Sequence, residues 1–105
     1  MGGEVIYKLV VPRVGDDVEE IRVLEWHGEP GRGFEPGELI VELETHKALV
    51  EVRCGQKGVL RAILAQEGDW ARLETPIALM SDEDGEALPA DPAEAGKLAV
   101  DFTVD

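Results

Sequence analysis

The chain has little basic charge, a single cysteine and no long apolar run. Its 105 residues carry 10 Lys and Arg against 23 Asp and Glu, a formal net charge of −13. This excess of acids argues against nucleic acid or an anionic membrane as a partner and favours a partner with a basic surface. No apolar stretch reaches the roughly 18 residues of a membrane-spanning helix, and the segment Met1-Gly2-Gly3-Glu4 lacks the features of a signal peptide. We therefore expect a soluble intracellular protein.

Cysteine and histidine are too few for most kinds of catalytic or metal site. Cys54 has no second cysteine with which to form a disulfide or a Cys-x-x-Cys pair, so any redox chemistry must come from an attached group. His27 and His46 are the only histidines, and no cysteine or acid stands at ligand spacing around them, so no metal site is predicted. A core of about 75–80 residues also leaves little room for an enclosed active site. We predict no catalytic residue.

Short segments of alternating apolar and polar residues indicate an all-β chain. Between them, the stretch from His27 to Gly37 is dense in glycine and proline, which permits only turns and a short strand around Phe34. In the second segment, the side chains of Ile21, Val23 and Glu25 are expected to lie on the same face. The predicted strands are 4–11, 21–26, 40–44, 48–53 and 59–64.

A weak internal repeat appears at an offset of 37 residues. Its two halves begin at glycines, Gly31 and Gly68, and end at apolar pairs. The aligned positions are Gly31, Phe34, Gly37 and Ile40-Val41 in the first half, and Gly68, Ala71, Glu74 and Ile77-Ala78 in the second. Two similar halves predict a flattened barrel of short antiparallel strands with pseudo-twofold symmetry.

One predicted hairpin carries an exposed lysine. Only Thr45, His46 and Lys47 lie between the strand-like runs that end at Glu44 and begin at Ala48. The chain must reverse within this short turn, so its central side chains point into water. An exposed lysine is protonated at neutral pH and is a poor nucleophile by itself. A modifying enzyme can nevertheless reach it and attach a cofactor arm.

This hairpin resembles a known attachment motif. Glu44-Thr45-His46-Lys47-Ala48, followed by Val50-Glu51-Val52, is similar to the lipoyl-attachment motif of biotinyl/lipoyl domains, whose usual form is Glu-Thr-Asp-Lys-Ala. The resemblance covers about 5–80. It includes Glu25-Trp26-His27, the turns at Gly31 and Gly37, Glu67-Gly68-Asp69, and Pro76-Ile77-Ala78. It implies a barrel-sandwich of two antiparallel sheets with the attachment lysine at a hairpin tip, and lipoate bound covalently to Lys47.

The resemblance also implies partners and recognition residues. A lipoate ligase or lipoyl transferase would modify the lysine, and a thiamine-diphosphate 2-oxo acid decarboxylase, an acyltransferase core and dihydrolipoyl dehydrogenase would then act on the cofactor. The chain would be a carrier domain of a dihydrolipoyl acyltransferase, not catalytic alone. It would lie in the bacterial cytoplasm, the favoured location, or in the mitochondrial matrix of a eukaryote. The residues implied in recognition are Glu44, Thr45, His46 and Ala48 around the lysine, and Asp16, Asp17 and Glu19 in a loop expected near it.

Departures from the family pattern leave alternatives open. His46 replaces the usual acid before the lysine, and Glu74 stands where a glycine is common. A biotin carrier is disfavoured because biotin domains flank the lysine with methionines, whereas His46 and Ala48 stand here. An unmodified adaptor module of the same fold is the third alternative.

The last 25 residues differ from the rest in composition. Residues 81–105 hold 8 acids and one basic residue, Lys97, and Pro89 and Pro92 interrupt the part up to Glu94. We predict a carrier domain over 1–80 and an acidic tail over 81–105, of which 81–94 is a flexible linker. The alternation from Leu98 onwards predicts an edge strand or a docking peptide.

Overall fold

The computed structural model describes residues 6–83, 85, 87–88 and 91–105, and these form ten strands. A single 3-10 turn, Pro92–Glu94, is the helical element of the described residues. Within the same residues, no helix is long and apolar enough to cross a membrane. The strands are β1 (Ile6–Val10), β2 (Glu20–Trp26), β3 (Gly33–Phe34), β4 (Leu39–Glu44), β5 (Leu49–Cys54), β6 (Gly58–Ile63), β7 (Trp70–Arg72), β8 (Pro76–Ser81), β9 (Gly96–Lys97) and β10 (Val100–Val104).

The strands form two five-stranded sheets that enclose the core. The orders are β3-β6-β8-β1-β9 and β10-β5-β4-β2-β7. Every pairing is antiparallel except that of β9 with β1. The predicted all-β class, with two antiparallel sheets, is confirmed.

The first eight strands have the predicted pseudo-twofold symmetry. If four is added to each strand number in the order β3-β6-β8-β1, counting on from β8 to β1, the result is β7-β2-β4-β5. This is the order of the first eight strands in the other sheet, read from β7. The offset of 37 residues is also visible in the backbone. Gly31 and Gly68 have φ of 104° and 95°, and Gly37 and Glu74 have φ of 93° and 67°. The repeat therefore reflects two equivalent pairs of left-handed turn residues, the second of which uses Glu74 where glycine is the easier choice.

Alternate residues of the strands point between the sheets. Ile21 and Val23 of β2 are completely buried, as their alternation predicts. Glu25, which was expected on the same face, is exposed, so that expectation was wrong. The register of β2 against β4 shifts between Val23 and Glu25, and this bulge moves every later residue of β2 to the other face. Trp26 packs against the core instead.

The end of the chain returns to the barrel. β9 lies beside β1, Leu98 is buried, and β10 pairs with β5 over five residue pairs. The alternating C-terminal stretch thus forms an edge strand. Within the predicted linker, residues 84, 86, 89 and 90 lie outside the described residues, so the mobility of this segment and the division of the chain at residue 80 remain predictions.

Candidate functional site

The turn between β4 and β5 is closed by the side chain of Thr45. Glu44 pairs with Leu49, and the amide of Thr45 donates to the carbonyl of Ala48 at 2.8 Å. The Thr45 hydroxyl oxygen accepts hydrogen bonds from the amides of Lys47 at 3.1 Å and Ala48 at 2.9 Å. Thr45 is only 6% exposed. Its side chain therefore shapes the turn from the inside.

Lys47 projects from this turn into solvent. Its side chain is 64% exposed, and His46 beside it is also exposed. The Nζ atom of Lys47 forms an ion pair with the carboxylate of Asp17, in the loop between β1 and β2. The ε-amine is thus reachable, while the backbone that carries it is fixed by two paired strands.

The loop that carries Asp17 is anchored by a buried residue. Val18 packs into the core, so the loop lies against the barrel at the level of the hairpin. The hydrogen bond from Lys47 lowers the pKa of the Asp17 carboxyl below its usual range, and a bond from the Asp17 backbone acts in the same direction. The two groups are exposed, so water screens most of their attraction.

The predicted recognition residues fall into three places. Asp17, Glu19 and His46 line one shallow, open depression. Glu44, Thr45, His46, Lys47 and Ala48 line a second depression around the turn. Asp16 lines a third, beside Arg13 and Thr75. Glu19 also lines this third depression. The structure therefore brings Asp17 and Glu19 close to the attachment turn and places Asp16 in the neighbouring depression, which no residue of the turn lines.

Strand pairing adds residues that the sequence did not point to. β7 pairs with β2 and carries Trp70 and Arg72, which line the same depression as Asp17 and His46. Trp70 is 55% exposed, an unusual environment for a side chain of that size. Asp105 lines the depression around the lysine turn. These residues lie more than 20 positions away along the chain, so no local motif could have indicated them.

A second polar cluster lies on the outer face of β2 and β4. Ligand atoms of Glu25, His27 and Glu42 all lie within 4.8 Å of one another, and Nε2 of His27 is 2.8 Å from Oε1 of Glu42. Sequence spacing did not reveal this group because strand pairing, and not proximity along the chain, brings Glu42 to His27. The hydrogen bond already gives the imidazole a partner.

The arrangement supports attachment chemistry better than catalysis. Cys54 is buried, its Sγ lies 2.6 Å from the carbonyl of Gln56, and burial raises the pKa of the thiol, which disfavours the reactive thiolate. Among the described residues, no buried side-chain nitrogen or oxygen lacks a hydrogen-bond partner. The primary amine of Lys47 is one reachable group, and the two paired strands that flank its turn fix the backbone that carries it.

Comparisons with known proteins agree with this geometry. The biotin/lipoyl family model, described as biotin-requiring enzyme, matches residues 7–80. The dihydrolipoyllysine-residue succinyltransferase component of the 2-oxoglutarate dehydrogenase complex of Staphylococcus saprophyticus is 36% identical over 97 residues, which cover 90% of this chain and 23% of that protein. The corresponding protein of Bacillus subtilis is 32% identical over 87 residues, 83% of this chain and 21% of that one. The chain thus spans about a fifth of the length of these relatives.

A solved structure has a similar fold. The lipoyl domain of the 2-oxoglutarate dehydrogenase complex of Azotobacter vinelandii, determined by NMR, matches with a TM-score of 0.61 and 28% identity. The match covers 70% of this chain and 94% of that domain. The common part is therefore nearly the whole of the Azotobacter domain.

Proposed function

The chain belongs to the biotin/lipoyl-attachment family, and from that premise we propose that Lys47 is its attachment residue and carries lipoate through an amide bond. The fold and the relatives are those of a lipoyl carrier domain. When attached, lipoate supplies a dithiolane that takes up an acyl group together with two electrons. The chain's own contribution is to hold the arm at a fixed, exposed point and to be recognised by the enzymes that use it.

The position of Lys47 is the observation that supports this assignment. It stands in a turn between two paired strands, and the buried Thr45 fixes the turn from inside. Lys57 is also exposed, but it lies in a loop that Gly55 and Gly58 flank. Lys8, in β1, donates a hydrogen bond to the carbonyl of Ala93. Lys97 lies in the two-residue strand β9. A modifying enzyme that recognises a rigid hairpin would therefore select Lys47.

The partners follow from the names of the relatives. We infer a 2-oxo acid dehydrogenase complex, with 2-oxoglutarate as the favoured acid because the relatives from Staphylococcus and Bacillus belong to that complex. A thiamine-diphosphate decarboxylase and dihydrolipoyl dehydrogenase would then act on the arm. The acids Asp17, Glu19 and Glu20, close to the lysine turn, favour a basic docking surface on the decarboxylase. A bacterial cytoplasmic location is part of the same proposal.

Paired lysine variants test the attachment residue. The wild type, Lys47→Arg and Lys57→Arg are each co-expressed with a lipoate ligase, and their intact masses and circular dichroism spectra are compared. We expect wild type and Lys57→Arg to gain one lipoyl group, and Lys47→Arg to stay unmodified with an unchanged spectrum. Lipoate on Lys47→Arg, or none on the wild type, would contradict the proposal.

A biotin carrier is the second candidate, because the matching family includes biotin-requiring enzymes. Co-expression of the wild type with a biotin ligase in place of the lipoate ligase separates the two. Because neither neighbour of Lys47 is methionine, we expect little or no biotinylation. Complete biotinylation, with lipoylation absent, would make biotin the cofactor.

A further inference from the structure

Residues 96–105 lie beyond residues 7–80, which the family model matches, yet they pair with both sheets. β9 pairs with β1, and β10 pairs with β5 in an unbroken register from Val100↔Cys54 to Val104↔Val50. β1 and β5 are the outer strands at equivalent ends of the two symmetric four-stranded orders. The same short segment therefore covers one symmetry-related pair of sheet edges, those of β1 and β5, while β3 and β7 remain at the other ends. We call residues 96–105 the strap.

The crossing between the two sheets is closely fitted. Leu98 is buried, and its amide donates to the carbonyl of Lys8 at 2.9 Å. The amide of Ala99 donates to Oε1 of Gln56 at 2.9 Å, and its carbonyl accepts from the amide of Gly55 at 2.8 Å. A Cβ added at Gly55 would lie 2.9 Å from the carbonyl carbon and oxygen of Ala99. Gly55 does not have a left-handed φ, so close approach of the strap is what requires glycine there.

The strap ends beside the attachment turn. The amide of Asp105 donates to the carbonyl of Leu49 at 2.9 Å, and Leu49 is the first residue of β5 after the turn. Without β10, β5 would be an edge strand with one row of backbone groups unpaired. With β10 in place, both strands that flank the Lys47 turn have neighbours on both sides.

We propose that the strap supports the attachment hairpin by binding in cis to the open edge of β5, and that it thereby presents Lys47 in the fixed turn that the modifying enzyme recognises. The second half of this statement rests on the proposed function of Lys47. The segment that occupies the β5 edge is the strap itself. It is extended, it is anchored by the buried Leu98, and its backbone contacts Gly55.

The strap is held by few side chains, so single changes release it. Phe102 and Val104 are 39% and 47% exposed, and Asp101 and Thr103 are exposed as well. Backbone hydrogen bonds, the Leu98 anchor and the half-buried Val100, which packs against the core, therefore provide most of its attachment. Gly55→Ala places a methyl group against the strap backbone without changing the strap itself. Gly33→Ala is the matched control, because a Cβ at Gly33 meets no atom within 4 Å.

Hydrogen exchange of the unmodified full chain tests the strap independently of lipoylation. Successive amides along a β-strand point to opposite sides. The amide of Gly55 points to the strap, so the amides of Glu51 and Arg53 in β5 face β10. The amides of Val50 and Val52 face β4. In Gly55→Ala we expect exchange at Glu51 and Arg53 to accelerate by about tenfold or more, with Val50 and Val52 unchanged. Gly33→Ala should match the wild type. Equal protection in both variants, or no protection of Glu51 and Arg53 in the wild type, would overturn the proposal.

The initial rate of lipoylation by a lipoate ligase tests the functional half. We expect Gly55→Ala to be modified several-fold more slowly than the wild type and Gly33→Ala. An equal rate in a variant whose strap is released would overturn that half. If the wild type is not lipoylated at all, the proposed function fails, and the exchange result still decides the strap. Should Gly55→Ala not fold, Leu98→Ser replaces it, with the exposed Leu88→Ser as its control.

Discussion

Thr45→Val tests whether one hydroxyl shapes the attachment turn. The substitution keeps the volume and β-branching of the side chain and removes the oxygen that accepts from the amides of Lys47 and Ala48. A typical intramolecular hydrogen bond contributes about 0.5–1.5 kcal/mol net, so losing two should cost about 1–3 kcal/mol of unfolding free energy. That is a large fraction of the roughly 5–15 kcal/mol that stabilises an average domain.

Urea denaturation followed by circular dichroism measures this loss. With an m value of about 1–3 kcal/mol/M, the midpoint should fall by about 1 M at unchanged slope. Thr45→Ser keeps the hydroxyl and is the control, and in that variant the amides of Lys47 and Ala48 should remain as protected from hydrogen exchange as in the wild type. A midpoint of Thr45→Val within about 0.2 M of the wild type, with both amides still protected, would refute the role assigned to the hydroxyl.

Three further predictions concern single groups. Because burial raises the pKa of the Cys54 thiol, the native protein should react with a thiol reagent far more slowly than the unfolded protein. As the pH rises, the thiol ionises first in the unfolded protein, so the free energy of unfolding should fall through and above the ordinary thiol range, and Cys54→Ala should lack this decrease. Because the hydrogen bond from Lys47 lowers the pKa of Asp17, carboxyl NMR should find a higher pKa for Asp17 in Lys47→Gln, and an identical titration in both proteins would show that the ion pair has no effect. The contribution of the pair to the free energy of unfolding is present above the ordinary Asp range and is lost as the pH falls through the lowered pKa. Glu74→Gly relieves a left-handed φ of 67°, which costs about 1–2 kcal/mol in a non-glycine residue, and loses an exposed ion pair with Arg13 that contributes about 0–1 kcal/mol. Calorimetry should therefore find a stabilisation between zero and about 2 kcal/mol, and a clear destabilisation would contradict this balance.

Alternation and turn chemistry predicted most of the barrel because they act locally. Val50 and Val52 are buried as their period of two requires, and the repeat between Gly31 and Gly68 marked two turns with the same backbone demand. The prediction failed at Glu25, because a period of two assumes an unbroken register and no sequence signal announced the bulge. A one-residue insertion in a strand reverses every later side chain.

The surroundings of the lysine depended on long-range pairing and could not be read from the sequence. The motif around Lys47 indicated an exposed hairpin, but not that Trp70 or Asp105 would line the neighbouring surface. Likewise, alternation from Leu98 onwards indicated a strand without specifying which sheet edge would receive it. The close approach of this segment to Gly55 exists only in the assembled sheets, so the sequence could not indicate it.

The mass of the protein isolated from the cells that make it tests the central claim most directly. Intact mass spectrometry, followed by fragmentation of the peptide that contains Lys47, reports both the identity and the position of an attached group. We predict a single increment equal to one lipoyl group, located on Lys47. A biotinyl increment, a lipoyl group on another lysine, or an unmodified chain from cells whose other lipoyl proteins are fully modified would contradict the account.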